Sequence, residues 1–160
     1  MVTTTTTICE VLERYPATKT TSTVVGTVKG LTYHQLVYRA CGRLLGADRI
    51  CFLKVVRVDG AWRCKTCQSL TPTQVTWRFC GRVEVADATG SLWATCWEEE
   101  AVKLLGVSSQ QLGEALERDP AAYQAILAAA RLKTFKVKIL AQPETYDGEA
   151  RVQFKVGVIM

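Results

Sequence analysis

The run WRFCGRVEVADATGSLWATCW, Trp77 to Trp97, constrains the fold more than any other part of this chain. Apolar residues recur at every second place on the way in (Phe79, Val83, Val85), AspAlaThrGlySer makes a polar turn, and LeuTrpAlaThrCysTrp alternates on the way out. A period of two is the mark of a strand, so the stretch predicts a β-hairpin. On the return strand Trp93, Thr95 and Trp97 fall on one face, Ala94 and Cys96 on the other. The small pair suits a core. The two tryptophans are left sharing a face that is either a platform for something flat or a second core layer, and the pattern leaves both open.

Around this hairpin the chain changes texture in a readable order. Met1 to Thr7, with five consecutive threonines, reads as a disordered lead-in, and Ile8 to Leu12 as a short apolar run. A strand is expected at Thr23 to Val28, closed by Gly30, and another at Thr32 to Ala40, where Tyr33, His34, Val37 and Tyr38 favour β structure. His34, the single histidine, has no catalytic partner near it in sequence and is expected to be a surface or packed residue. Residues 41 to about 70 read as an insertion, broken by glycines and dense in arginine and cysteine. From about 98 to 131 the pattern is helical: GluGluGluAlaValLysLeuLeu stopped by Gly106, a second helix capped by Ser108 or Ser109, and a third capped by Asp119 ahead of Pro120. The three glutamates at 98 to 100 are accounted for by the helix dipole.

The period of two returns at Lys133. Phe135, Val137 and Ile139 are expected to face in, with Lys136 and Lys138 outside as a basic stripe. Gln142 to Gly148 is read as a turn. Arg151 to Val158 is the last strand, with Val152, Phe154, Val156 and Val158 on one side and Arg151, Gln153 and Lys155 on the other. Strands, a helical segment and two more strands make a mainly β, α+β chain. The order suits a five-stranded Greek-key barrel of the OB type with helices between its third and fourth strands, as a single domain over residues 8–160.

Composition narrows the function class. With 160 residues and 48% apolar content the chain is long enough for one substantial core. Its apolar runs fall short of the ~18 residues a membrane span needs, so a soluble, intracellular protein with no membrane partner is expected. Between Arg39 and Arg78 eight basic residues stand against Asp48 and Asp59, a net +6 inside a chain whose total is +5. Such a block favours a polyanionic partner or is a plain solvated face, and charge alone leaves both open. Enzyme chemistry finds no support: there is no nucleophile with a histidine base, no glycine-rich phosphate loop and no carboxylate cluster beyond 98–100.

Seven cysteines in a reducing compartment point to metal binding rather than disulfides. The knuckle TrpArgCysLysThrCys offers Cys64 and Cys67 from one tight turn, and a tetrahedral zinc site needs a second pair. Cys41 and Cys51 are the candidates, although the nine residues between them are too many for an ordinary knuckle. A closed shell of four thiolates leaves no position for water or substrate, so the zinc is read as structural. Unligated thiols are the plain alternative, and a redox CysXaaXaaCys pair would want a βαβ setting not found here. Cys9, Cys80 and Cys96 are expected to be packed small side chains.

Several pieces occur together in order: TyrArgAlaCys at 38–41, TrpArgCysLysThrCys at 62–67, TrpArg at 77–78, AlaAsp at 86–87, Trp93 to Trp97, LeuLeuGly at 104–106 and GluThrTyrAspGlyGluAlaArgVal at 144–152. From about Ile8 to Met160 the chain resembles the C-terminal DNA-binding domain of the large subunit of replication protein A, the eukaryotic single-stranded-DNA-binding complex. That family is an OB-fold with an inserted zinc ribbon. The resemblance implies zinc on Cys41, Cys64 and Cys67; the family's second ligand, set four residues after the first, meets no cysteine here, and Cys51, at the end of a longer loop, is the nearest substitute. It implies base stacking by Trp93, Trp97 and Tyr146 and a basic contact from Arg151. Arg78 and Lys155 are added as phosphate partners on physical grounds, and Trp77 is assigned to the rim or core.

The function implied is a nuclear module that binds single-stranded DNA and protects it in replication, repair and recombination, in company with other subunits of a replication protein A-like complex. The resemblance implies a C-terminal assembly helix after the last strand; the sequence stops at Met160 before it, which is expected either of a trimmed domain or of a relative that does not assemble in that way. Two alternatives are a telomere- or telomerase-associated paralogue that binds telomeric single strands, and a zinc-ribbon OB-fold scaffold that holds a protein partner in a multisubunit complex.

Overall fold

The computed structural model of the chain describes residues 4–14, 18–31, 36–131 and 133–160. In chain order its elements are helix α1 (Ile8–Glu13), strands β1 (Thr20–Leu31), β2 (Val37–Cys41), β3 (Val55–Val58), β4 (Ala61–Cys64), β5 (Gln68–Leu70), β6 (Val75–Phe79), β7 (Gly81–Asp87) and β8 (Gly90–Cys96), helices α2 (Glu98–Leu105), α3 (Ser109–Arg118) and α4 (Pro120–Ala130), and strands β9 (Thr134–Tyr146) and β10 (Glu149–Ile159).

Five strands close into a barrel in the order β1-β7-β8-β10-β9, with β9 returning to β1. Its neighbours are antiparallel except β8 and β10, which run parallel at Thr95 and Lys155. The alternation read from sequence sets the inward face: Val83 and Val85 on β7, Leu92, Ala94 and Cys96 on β8, Val137 and Ile139 on β9 are all buried. The three helices between the third and fourth barrel strands add Leu104, Leu105, Leu112 and Leu127 to the same core. Trp77 is buried, as expected, and packs so closely on α3 that a Cβ at Gly113 would collide with its indole ring. Only a glycine lets the helix backbone approach the ring this far.

The structure corrects the sequence reading at several points. The stretch from Trp77 is two units. β6 pairs with β2, Trp77 opposite Arg39, in a separate two-stranded sheet, and only β7 and β8 form the hairpin. Cys80 stands exposed at the joint instead of packed, and Cys9 is half-buried; Cys96 alone of the three is buried, which pushes its thiol up to about 12. The apolar run after Thr7 is helix α1, closed by a capping box in which the Thr7 hydroxyl accepts from the Glu10 amide and Glu10 accepts from the Thr7 amide. Of the lead-in, residues 1–3 lie outside the described residues, while the Thr6 amide donates to the Thr23 carbonyl. Tyr33 and His34 also lie outside them.

The turn expected over 142–148 shrinks to Asp147 and Gly148. Both have positive φ, 51° and 78°, as a two-residue hairpin turn demands, so β9 runs on to Tyr146. In β10 a bulge between Val156 and Val158 shifts the alternation by one residue. Val158 therefore points out and Ile159 takes the core position. The acids of α2 do more than complement the dipole. Glu98 accepts from the Phe79 amide and the Ser109 hydroxyl, and Glu100, buried, accepts from the Ile159 amide.

Asp87 performs a similar tie at the hairpin turn. Its carboxylate accepts from the amides of Thr89 and Gly90, the Thr89 hydroxyl and the first amide of α1, at Ile8. Burial pushes its pKa up, but these hydrogen bonds outweigh it and hold the carboxyl below the usual range.

Candidate functional site

The insertion carries its own small core: Cys41, Val55, Cys64 and Leu70, with Cys51, Trp62, Cys67 and Val75 packed against it. Strands β3, β4 and β5 form its three-stranded sheet. Cys41 ends β2, and the chain then leaves on an excursion. Leu44 bridges to Ile50, the Leu45 amide donates to the Arg49 carbonyl, and the Cys51 amide donates to the Arg43 carbonyl. The excursion is thus a small hairpin that closes on itself. It returns antiparallel to its start, with the Phe52 amide donating to the Cys41 carbonyl and the Cys41 amide to the Leu53 carbonyl, both at 2.8 Å. The nine intervening residues therefore do not carry Cys51 away.

The four sulfurs of Cys41, Cys51, Cys64 and Cys67 all lie within 4.8 Å of one another, and Cys51 Sγ is 3.7 Å from Cys64 Sγ. A tetrahedral ion with metal–sulfur bonds of about 2.3 Å needs sulfurs about 3.8 Å apart, so the cluster has the dimensions to hold a metal ion. The Arg43 guanidinium donates to the Cys67 carbonyl and pins the excursion to the knuckle. Burial pushes the Cys64 thiol up, but the Cys67 and Thr66 amides, with the sulfurs of Cys51 and Cys41, bring it down to about 7. Cys67 is pushed up to about 12 by burial and by its neighbouring thiols.

The second assembly is the outer face of the barrel. Trp93 lies opposite Glu84 and Thr95 opposite Arg82 on β7, while Lys155 of β10 is paired with Thr95. Arg151 is opposite Glu144, and Glu149 opposite Tyr146, at the far end of the β9–β10 hairpin. Strand alternation therefore places Trp93, Tyr146, Arg151 and Lys155 on one face. Trp93 is half-buried and leans across β7: a Cβ at Gly30 would stand 3.3 Å from its Cη2. Tyr146, 63% exposed, has the Arg151 guanidinium over its ring at 4.1 Å, and Arg151 is also ion-paired with Glu144. A groove of about 240 Å³ runs between Arg82, Thr95, Glu144 and Arg151.

Trp97 and Arg78 lie outside the barrel strands. Trp97 occupies the N-cap position of α2 and is 57% exposed. With Arg78 and the glutamates at 98–100 it lines a second, more open groove of about 450 Å³. Arg78 belongs to β6, outside the barrel; it stacks 3.8 Å over the Phe52 ring and lies 3.7 Å from Glu98. Arg39 was not singled out from sequence, yet it joins the two halves of the molecule. Its guanidinium lies over Trp62 of the insertion at 5.0 Å and over Trp77 at 4.4 Å, and it pairs with Glu117 of α3. Glu144 was also missed. The one signal for it was its place opposite Arg151 across a hairpin whose register depended on the AspGly turn.

Among the five barrel strands taken in chain order, the third and fifth are parallel, the first closes on the fourth, and helices fill the third crossing; this defines an OB-fold barrel, here bearing a four-cysteine insertion. The family model described as the replication factor-A C terminal domain matches residues 21–160, and the chain belongs to that family. It is 28% identical over 134 residues to replication factor A protein 1 of Saccharomyces cerevisiae, covering 83% of this chain and 21% of that protein. It is 31% identical over 130 residues to the replication protein A 70 kDa DNA-binding subunit of Gallus gallus, covering 81% and 20%. The chain spans about a fifth of the length of these curated relatives. A solved replication protein A heterotrimer bound to ssDNA superposes with a TM-score of 0.81 at 26% identity, covering 97% of this chain and 35% of that one. Yeast RPA bound to ssDNA shares the fold at a TM-score of 0.78 and 23% identity, covering 100% and 89%.

Proposed function

We propose that this chain is a single-stranded-DNA-binding module of a replication protein A large subunit, acting in the nucleus with the other subunits of such a complex to protect single strands in replication, repair and recombination. The observation that carries this reading is the sharing of one barrel face by Trp93, Tyr146, Arg151 and Lys155. Single strands present base faces and phosphates together. Trp93 and Tyr146 stack on bases, each contributing roughly 1–3 kcal/mol without selecting sequence, and Arg151 and Lys155 neutralise phosphates. Trp97, exposed at the start of α2, continues the stacking platform beyond the barrel end. Arg78, held between Glu98 and Phe52, contributes least among the basic residues.

The metal is zinc, held by Cys41, Cys51, Cys64 and Cys67. The soft thiolate donor set and the spacing of the sulfurs favour it, and four protein ligands leave it structural. It ties the end of β2, the return of the excursion and the β4–β5 knuckle to one another and takes no part in chemistry. Native mass spectrometry reads this directly: one zinc per chain is expected, and an apo mass with seven free thiols overturns it.

The DNA reading is tested by titrating labelled oligothymidylate about 30 nucleotides long at about 50 and about 200 mM salt. Binding that weakens with salt is expected, with Trp93→Ala losing roughly 1–3 kcal/mol and Arg151→Ala flattening the log–log salt slope by about 0.7. Absence of binding at the lower salt overturns the proposal.

A further inference from the structure

Six large apolar side chains stand exposed within residues 44–58: Leu44, Leu45, Ile50, Leu53, Val56 and Val58, from 37% to 65% exposed. They are concentrated on the insertion. Leu44 and Ile50 face each other across the excursion hairpin, while Val56 and Val58 share one side of β3, the edge strand of the three-stranded sheet. Single exposed aliphatics are ordinary on any surface, but a concentration of this kind marks an interaction site.

The surroundings of the patch select the partner. Residues 42–70 carry Arg43, Arg49, Lys54, Arg57, Arg63 and Lys65 against Asp48 and Asp59, a net charge of +4. A basic segment that exposes aliphatic side chains complements either a nucleic acid or an acidic protein segment, and the ring contacts separate the two. Single strands bind through open aromatic faces. The insertion's aromatics are Phe52 and Trp62. Arg78 lies over Phe52 at 3.8 Å, and Arg39 and Arg57 lie over Trp62 at 5.0 and 5.3 Å. Those faces are taken by guanidinium groups, and leucine, isoleucine and valine offer a base nothing to stack on. They do offer a hydrophobic seat to apolar side chains.

We propose that the exposed edge of the insertion, from Leu44 to Val58, docks an acidic protein segment that also carries aliphatic or aromatic side chains. Leu44 and Ile50 seat its apolar residues, and Arg49 on the same hairpin pairs with its carboxylates. This surface is separate from the barrel face assigned to DNA, and its occupancy does not depend on that assignment.

The test uses the full chain and a set of labelled synthetic peptides in which Asp and Glu alternate with Leu and Phe, beside charge-reversed peptides with Lys and Arg, and oligothymidylate. Acidic peptides are expected to bind in the micromolar range, with backbone amide shifts confined to about residues 43–58. The double variant Leu44→Ser, Ile50→Ser and the single variant Arg49→Glu are each expected to bind about tenfold more weakly. Their metal content and melting temperature should match the parent, because these side chains are exposed. The proposal is overturned if no acidic peptide binds below about 1 mM, if the charge-reversed peptides bind equally, if the variants bind like the parent, if oligothymidylate shifts this edge instead, or if the edge is covered by a second copy of the chain in sedimentation experiments.

Discussion

The barrel and the insertion solve the same problem with different materials. The barrel buries Val24, Val28, Val83, Val85, Val137 and Ile139 behind closed strand pairing, and three helices extend that core. The insertion has short strands, and two of the four buried residues of its core, Cys41 and Cys64, belong to the cysteine cluster. One region is held by apolar area. The other is too small for that, and the proposed ligation of a metal by its four cysteines would supply what area does not, as in other small domains. Stability should therefore be separable: the barrel indifferent to metal, the insertion dependent on it.

The largest expected effect comes from taking the metal away. Chelation, or Cys51→Ser, should remove an interaction worth on the order of ten kcal/mol to the insertion. Hydrogen-exchange protection over β3 to β5 should collapse while that of β9 and β10 persists. Collapse of both together would merge the two regions into one cooperative unit. Next is Ile139→Ala in the barrel, fully buried, with an expected loss of about 2–5 kcal/mol in denaturant unfolding and no change in metal content.

Asp87 gives a pH handle on the barrel alone. Its folded pKa lies below the ordinary value of about 3.9. The unfolded chain thus takes up the proton first, and the stabilisation from Asp87, complete above that ordinary value, disappears as pH falls through the lower folded one. Asp87→Asn should flatten the stability profile in that acid window and leave the insertion's metal affinity unchanged. The smallest effect concerns the face proposed for DNA. Glu144 occupies Arg151 with an exposed ion pair, worth about 0–1 kcal/mol. Glu144→Gln should free Arg151 for phosphate and tighten oligothymidylate binding by up to about fivefold. Weaker binding would mean that Glu144 positions Arg151 instead of competing for it.

What could be read from sequence followed the same division. Alternation exposed the barrel strands because one face of each is buried, and it set Ala94 on the core side while leaving open whether the face of Trp93 was a platform or a second core layer. It failed where one residue changes the count. The bulge at Gly157 exchanged the roles of Val158 and Ile159, and the AspGly turn at 147–148 carried β9 five residues into what reads as loop. Thr7 and Glu10 formed a visible capping-box signature beside a short apolar run that carried no helical label of its own. In the insertion, CysLysThrCys was legible as a knuckle because both thiols come from one turn. Cys51 was not settled by counting, since loop length says nothing about the path between its ends. Arg78 and Glu98 were legible as charges, but their mutual contact depends on how β6 leaves the barrel.

The self-closing excursion between Cys41 and Cys51 has one more consequence. Because Leu44 meets Ile50 before the chain returns to the cysteines, residues at its tip make no demand on the sulfur geometry. Lengthening that tip costs only the slow logarithmic growth of loop-closure entropy, about 0.6 kcal/mol for each doubling. The ligand spacing along the chain is thereby freed from the ligand spacing in space, and this arm can vary in length and composition while the knot of thiols beneath it stays the same.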